Sequence, residues 1–219
     1  MLAMRLLPLP GVFRPHSDSW MLARHLAAEP LRSGDSVLDL CTGSGVLALS
    51  AARRGAGRVV AVDVSRRAIA ATRINAALNG VTVQALRGNL FEPVGGERFQ
   101  LIASNPPYLP SVDGEPPGRG PARAWEAGAD GRHFLDKICA EAADHLLPGG
   151  ALLLVHSSVC GEQRTLEALS TEGLEPRVIE RQRGRLGPRL EARQATLAER
   201  GLLLDGEEEM VVIRAVRRA

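Results

Sequence analysis

The sequence predicts an α/β fold: a mostly parallel sheet covered by helices on both faces. Three observations point there. Short apolar runs at 37–40, 59–62, 101–103 and 151–155 alternate with stretches of helical periodicity. A glycine-bearing turn, Cys41-Thr42-Gly43-Ser44-Gly45, follows the first run and opens a helix. Polar residues Asp39, Asp63, Asn89 and Asn105 stand at or near the ends of four successive runs. Open parallel sheets bind ligands beyond the carboxyl ends of their strands.

Taken in order, Asp18 or Ser19 can cap a first helix through Met21, Leu22 and Leu26, ending near Glu29-Pro30. Gly34-Asp35 turns the chain into a buried strand at 36–40. The helix 46–52 closes with Arg53, Arg54 and Gly55, cations and then a glycine at its carboxyl end. A second strand, 58–63, ends in Asp63. A helix through Ile69 and Ile74 stops at Asn79-Gly80, and a third strand is expected at 81–86. Residues 88–93 read as a loop and 99–103 as a fourth strand. The stretch 109–129, rich in Pro, Gly and Arg, is a long loop of the kind that carries function. A helix over about 131–147 should end at Pro148-Gly149-Gly150, before a fifth strand at 151–155. A helix near 162–169, a strand around 178–179 and a last strand at 210–213 complete the sheet. The basic run 181–189 reads as a solvated, turn-rich loop, with a contact for ribosome-associated or nucleic-acid phosphate as the alternative.

With 219 residues, 45% hydrophobic and 24% charged, the chain suits a single soluble domain over 1–219. A formal charge of +2 does not mark a nucleic-acid binder, and Lys137 is the only lysine among the many arginines. Cys41, Cys139 and Cys160 are odd in number and wrongly spaced for a disulfide framework or a zinc site. The five histidines form no metal-spaced cluster, so no metal site is expected; His16 and His156 are read as structural. The first eight residues are too short an apolar stretch for a signal or a membrane span. A cytoplasmic setting is expected by default.

Asn105-Pro106-Pro107-Tyr108 follows the fourth strand. Two prolines offer no N–H to a sheet ladder, and Pro106 turns Asn105 away from helical angles. The Asn105 side-chain carbonyl and the Pro106 main-chain carbonyl then form a pair of acceptors suited to both hydrogens of an NH2 group. Tyr108 offers a flat face for a planar group. Gly43 and Gly45 let the backbone approach a ligand, and Asp63 is placed for ribose hydroxyls. Gly43 to Ala48 also fits the loose dinucleotide pattern G-x-G-x-x-A. Against a pyrophosphate stands Asp39, just before the glycines, where a cationic ligand such as S-adenosylmethionine is welcome.

These residues resemble the class I S-adenosylmethionine-dependent methyltransferases, and Asn105-Pro106-Pro107-Tyr108 narrows the resemblance to the HemK-type protein-glutamine N5-methyltransferases. The likeness is good over 12–150 and covers Val12-Phe13-Arg14-Pro15, Asp18 and Ser19, which resemble the cofactor-covering segment of the short forms lacking an N-terminal helical domain. It implies a seven-stranded Rossmann-like sheet and a cofactor set of Asp18, Ser19, Asp39, Cys41, Gly43, Ser44, Gly45, Asp63, Val64, Asn89, Leu90 and Asn105. Asn89 stands where the family usually has Asp. Trp125 to Gly131 resembles the family's glycine-rich stretch after the catalytic loop. S-adenosylmethionine would be converted to S-adenosylhomocysteine.

The implied catalytic residues are Asn105, Pro106 and Tyr108, with Pro107 joining them around the acceptor. The implied substrate is a protein glutamine of the Gly-Gly-Gln type found in peptide-chain release factors. Adenine N6 in DNA or RNA presents the same two hydrogens, and a small-molecule amine is a further alternative. A non-enzymatic, cofactor-binding partner subunit would have no need of Asn105 to Tyr108.

Overall fold

The alternating apolar runs become seven strands: Ser36–Leu40 (β1), Arg58–Asp63 (β2), Gln84–Arg87 (β3), Phe99–Ser104 (β4), Leu146–Ser157 (β5), Leu174–Arg185 (β6) and Glu207–Arg217 (β7). In the computed structural model, which describes residues 4–202 and 207–218, they form one sheet in the order β3-β2-β1-β4-β5-β7-β6. The first five strands run parallel, and β7 pairs antiparallel with both β5 and β6. Successive side chains point to opposite faces of a strand, so each strand feeds two cores. Val37, Val59, Ala61, Leu101 and Leu153 pack with Met21, Leu22 and Leu26 of helix Ser17–Ala28 (α1) and Leu47 and Ala51 of helix Val46–Arg53 (α2). Leu38, Val60, Ile102, Leu152 and Ile213 pack on the other face with Leu135 and Ile138 of helix His133–Glu141 (α4) and Leu169 of helix Glu162–Thr171 (α5). Helix Arg66–Leu78 (α3) joins β2 to β3 and is capped by Ser65, whose hydroxyl accepts the Ala68 N–H. No helix among the described residues is long and apolar enough to cross a membrane.

Four expectations need correction. Helix α1 starts at Ser17 with His16 at its cap position, so Asp18 and Ser19 lie inside the first turn, buried. The third strand begins at Gln84, not at 81: the Val81 N–H turns back to the Ala76 carbonyl in α3, and pairing with β2 opens only at Val60 opposite Gln84. Helix α4 stops at Glu141. Leu146 is fully buried and pairs with Phe99, whose N–H goes to the His145 carbonyl, so Pro148-Gly149-Gly150 becomes a bulge inside β5 rather than a helix stop. Arg181, Arg183 and Arg185 belong to β6, not to a loop. They face Val211, Glu209 and Glu207 across the ladder, and the acidic run 207–209 supplies partners for Arg181 and Arg183. Two short helices, Pro188–Glu191 (α6) and Gln194–Glu199 (α7), fill the connection from β6 toward β7. The opening stretch 1–3 lies outside the described residues.

Gly131 ties this frame to the strand-end loops. Its φ is +76°, and a Cβ there would sit 2.1 Å from the Tyr108 carbonyl oxygen, which also accepts from the Cys160 thiol. Gly131→Ala therefore meets a backbone clash in a left-handed conformation, and is expected to lower unfolding stability by at least about 2 kcal/mol in urea titrations.

Candidate active site

At the carboxyl end of β1 the chain must turn sharply to start α2. Cys41 adopts φ +57°, a conformation costing a side-chain-bearing residue about 1 kcal/mol or more. Gly43 and Gly45 follow at φ +54° and +87°, but their reasons differ. A Cβ on Gly43 would have no neighbour closer than 3.9 Å and would intrude on a cavity, whereas one on Gly45 would press on Leu49 and Thr72 at 2.9 and 3.0 Å. Gly43 leaves room for a ligand; Gly45 lets α2 and α3 approach.

That cavity measures about 490 Å³. Of the cofactor residues expected from sequence, Ser19, Cys41, Gly43, Ser44, Asp63, Val64, Asn89, Leu90 and Asn105 line it, while Asp18, Asp39 and Gly45 do not. Asp63 is positioned by backbone: its two oxygens accept the Gly43 N–H at 3.0 Å and the Ser65 N–H at 2.8 Å. Burial nevertheless raises its pKa. Asn89 donates to Glu92 at 3.1 Å. Asn75 is missed by sequence reading. Fully buried, it donates to the Ser44 carbonyl at 2.9 Å and accepts the Leu7 N–H at 2.7 Å, tying the N-terminal segment to the glycine turn. The available signal was a polar residue on the apolar side of an amphipathic helix.

Asp39 lies fully buried beneath the turn. Its Oδ2 accepts from the Thr42 hydroxyl at 2.6 Å and the Ala48 N–H at 3.0 Å, while Oδ1 has no partner among the described residues. Burial pushes this carboxyl up to about 7. An orphaned buried carboxylate oxygen beneath the turn that lines the cavity suits a cationic ligand and opposes a pyrophosphate.

A second cavity, of about 340 Å³, is lined by Asp18, Asn105, Pro106, Pro107 and Tyr108 together with Trp125 and part of 182–190. Asn105, Pro107, Phe13 and Ala124 line both cavities, so Asn105 stands on their boundary. The Asn105 amide group donates to Asp18 Oδ2 at 3.0 Å and to Ser19 Oγ at 2.9 Å. A carboxylate only accepts, so the amide cannot be flipped. Both N–H bonds are used, and neither Asn105 Oδ1 nor the Pro106 carbonyl accepts a hydrogen bond among the described residues. Asp18 is thus placed differently from the sequence expectation: it holds the acceptor residues instead of lining the cofactor cavity. Its Oδ2 also takes the Tyr108 hydroxyl at 2.8 Å, and its Oδ1 takes the Ser19 N–H at 2.6 Å and the Ser19 hydroxyl at 3.3 Å. Burial and the facing Asp18 carboxylate push the Tyr108 phenol well above its usual range, so it remains a donor. His16 lines this second cavity. His156 does not: it is buried in β5 with Nδ1 against the Ser157 carbonyl, and burial lowers its pKa to about 4.

The Asp39 carboxyl makes a pH prediction. Because its folded pKa of about 7 exceeds the unfolded value near 3.8, the folded state holds the extra proton between them, and stability falls as pH rises through that window. Asp39→Asn removes this slope. The variant is expected to gain stability relative to the wild type as pH rises from about 4 to 7, and to lose affinity for a cationic cofactor. Thermal melts at pH 5 and 8, with calorimetric titrations alongside, check both effects.

Comparison with known proteins identifies the family. Residues 3–114 match the family described as methyltransferase small domain. A Methanocaldococcus jannaschii protein, named as a candidate protein N5-glutamine methyltransferase, is 33% identical over 172 residues, covering 78% of this chain and 85% of that one. The release factor glutamine methyltransferase of Deinococcus radiodurans is 45% identical over 148 residues, covering 64% of this chain and 52% of its own. The chain thus spans about half the length of such bacterial relatives. Among solved structures, the E. cuniculi Mtq2–Trm112 complex matches with a TM-score of 0.65 at 21% identity over 94% of this chain and 99% of that one. A T. thermophilus 16S rRNA N2 methyltransferase, solved with AdoMet and guanosine, matches with a TM-score of 0.62 at 26% identity over 96% of this chain and 46% of that one. With the seven-stranded sheet and the Asn105 site in place, the chain belongs to the methyltransferase small domain family, among the HemK-type methyltransferases.

Proposed function

We propose that the protein transfers a methyl group from S-adenosylmethionine to the side-chain amide nitrogen of a protein glutamine, of the Gly-Gly-Gln type carried by peptide-chain release factors. One observation carries this reading: Asn105 is locked at the boundary of two cavities, with its carbonyl and that of Pro106 left as acceptors unpaired among the described residues.

The first cavity fits the cofactor. Asp63 is oriented for ribose hydroxyls, the face of Gly43 is open, and Asp39 favours positive charge below the turn. Bound there, S-adenosylmethionine supplies a methyl group on a positively charged sulfur, ready for attack by a nucleophile.

The chain's own residues must make an amide nitrogen nucleophilic, and its lone pair is delocalised into the carbonyl. Asn105 Oδ1 and the Pro106 carbonyl would accept the two amide N–H groups and aim the nitrogen at the first cavity. As the carbon–nitrogen bond forms and the carbon–sulfur bond breaks, positive charge grows on nitrogen. Two fixed acceptors stabilise that charge more strongly in the transition state than in the ground state. The surplus proton then leaves to water, so no strong base is required. Tyr108, held by Asp18, gives the acceptor plane a rigid wall. Asp18 acts through Asn105: without it the amide could rotate, and its acceptor would lose its aim.

The test uses labelled S-adenosylmethionine with a release-factor fragment bearing Gly-Gly-Gln, and mass spectrometry of the product. Methyl on the glutamine is expected; label that enters only nucleic acid overturns the reading in favour of an exocyclic base amine. Asn105→Ala is expected to abolish transfer while cofactor affinity stays within about threefold in calorimetry. Asp18→Ala should lower kcat by about 10- to 100-fold, the range for a lost positioning contact, with Kd for the cofactor little changed.

A further inference from the structure

The cavity that holds the acceptor residues has a wall with no part in aiming the amide. It consists of 182–185 at the end of β6 and 187–190 at the start of α6. The wall is fastened to the 109–129 loop. Arg193 donates to the Pro110 carbonyl and pairs with Glu126, and Arg200 donates to the Ser111, Val112 and Ala129 carbonyls. Leu109, Leu186, Leu190 and Leu197 form an apolar seam beneath. The distance from Asn105 to this wall is therefore set by packing.

The charges on the cavity are unevenly satisfied. Arg183 pairs with Glu207. Asp18 is surrounded by its donors, and Glu208 accepts the Gly187 N–H at 3.3 Å. Arg185 is exposed, and its side chain makes no hydrogen bond or ion pair among the described residues. Arg189 lies with its Cζ 4.3 Å from the centroid of the Trp125 ring, and its side chain makes no hydrogen bond or ion pair among the described residues. Two guanidinium groups with unused donors thus look for an anion on the far side of a cavity whose near side takes an amide.

Resting on the glutamine reading above, we propose that this wall selects a glutamine with an aspartate or glutamate close by in the same chain, its carboxylate taken by Arg185 and Arg189. A guanidinium fork matches a carboxylate in two parallel hydrogen bonds. A cavity of about 340 Å³ has room for the glutamine and little more than one neighbouring side chain. At about 3.3 Å per extended residue, the carboxylate must come from within about three residues of the glutamine.

Nine-residue peptides with a central glutamine and one Asp, Asn or Lys at each of the three positions on either side provide the test. For the best position, kcat/KM for the Asp peptide should exceed that of the Asn peptide by about tenfold, mainly through KM, with the Lys peptide lowest. In Arg185→Glu or Arg189→Glu the Asp-to-Asn ratio should fall toward one, and in the double variant the Lys peptide should become the best substrate. Arg185→Lys should keep part of the preference, and melting curves of each variant confirm that it folds. If wild-type protein methylates Asp, Asn and Lys peptides equally at every position, the proposal is overturned while the glutamine reading stands. Inhibition by an RNA oligonucleotide that vanishes in Arg185→Glu, with peptides methylated without regard to charge, would likewise overturn it and assign the wall to phosphate. Methylation of a nucleobase and of no glutamine peptide would remove both readings.

Discussion

A buried carboxylate joins the first helix to the loop after the fourth strand. Asp18 takes hydrogen bonds from Asn105 and Tyr108 on one oxygen and from Ser19 on the other. Removing such a group from water is costly, typically several kcal/mol, and is offset only when its lone pairs are filled. Here they are filled by groups more than eighty residues away as well as by its neighbour, so the bonds that satisfy the charge also dock α1 against the site. The same bonds orient Asn105, because an amide with both N–H groups engaged has one direction left for its carbonyl. Stability and acceptor geometry share one set of contacts.

Asp39 shows the opposite arrangement. It also lies buried at a strand end, yet one oxygen is left without a donor among the described residues and its carboxyl is shifted up to about 7. A structural carboxylate gains nothing from that vacancy. A carboxylate meant to meet positive charge does, since an arriving cation stabilises the ionised form and draws the group back toward ordinary acidity. On the proposed reading, the two aspartates divide the work between holding the acceptor side rigid and keeping the cofactor side receptive.

Much of this was legible in the sequence. Apolar strands at 36–40, 58–63 and 99–104 carry enough local signal, in length, β-branched content and flanking turns, to be read directly. The polar residues at their ends inherit their placement from parallel topology. What failed depended on partners distant along the chain. Pro148-Gly149-Gly150 looks like a helix stop until Leu146 is seen paired with Phe99. The arginines at 181–185 look solvated until the glutamates at 207–209 are brought opposite them. Asp18 was assigned to the cofactor because its motif adjoins that segment; nothing local announces bonds to Asn105 and Tyr108.

The division between chemistry and recognition follows from the same distinction. Asn105 and Pro106 require only a planar NH2 group, and the 16S rRNA N2 methyltransferase that shares the fold shows the sheet compatible with a nucleobase acceptor as well. Discrimination must then come from surfaces that meet the rest of the substrate. On the reading proposed above, those surfaces are built late in the sequence, by α6, α7 and the ends of β6 and β7, and are pinned to the 109–129 loop by Arg193 and Arg200. Because the clamp residues hold mainly main-chain carbonyls, with Glu126 the loop side chain that Arg193 also takes, they fix the loop's path while constraining few of its side chains. A scaffold of this kind can change its substrate by altering one wall while the acceptor pair stays as it is.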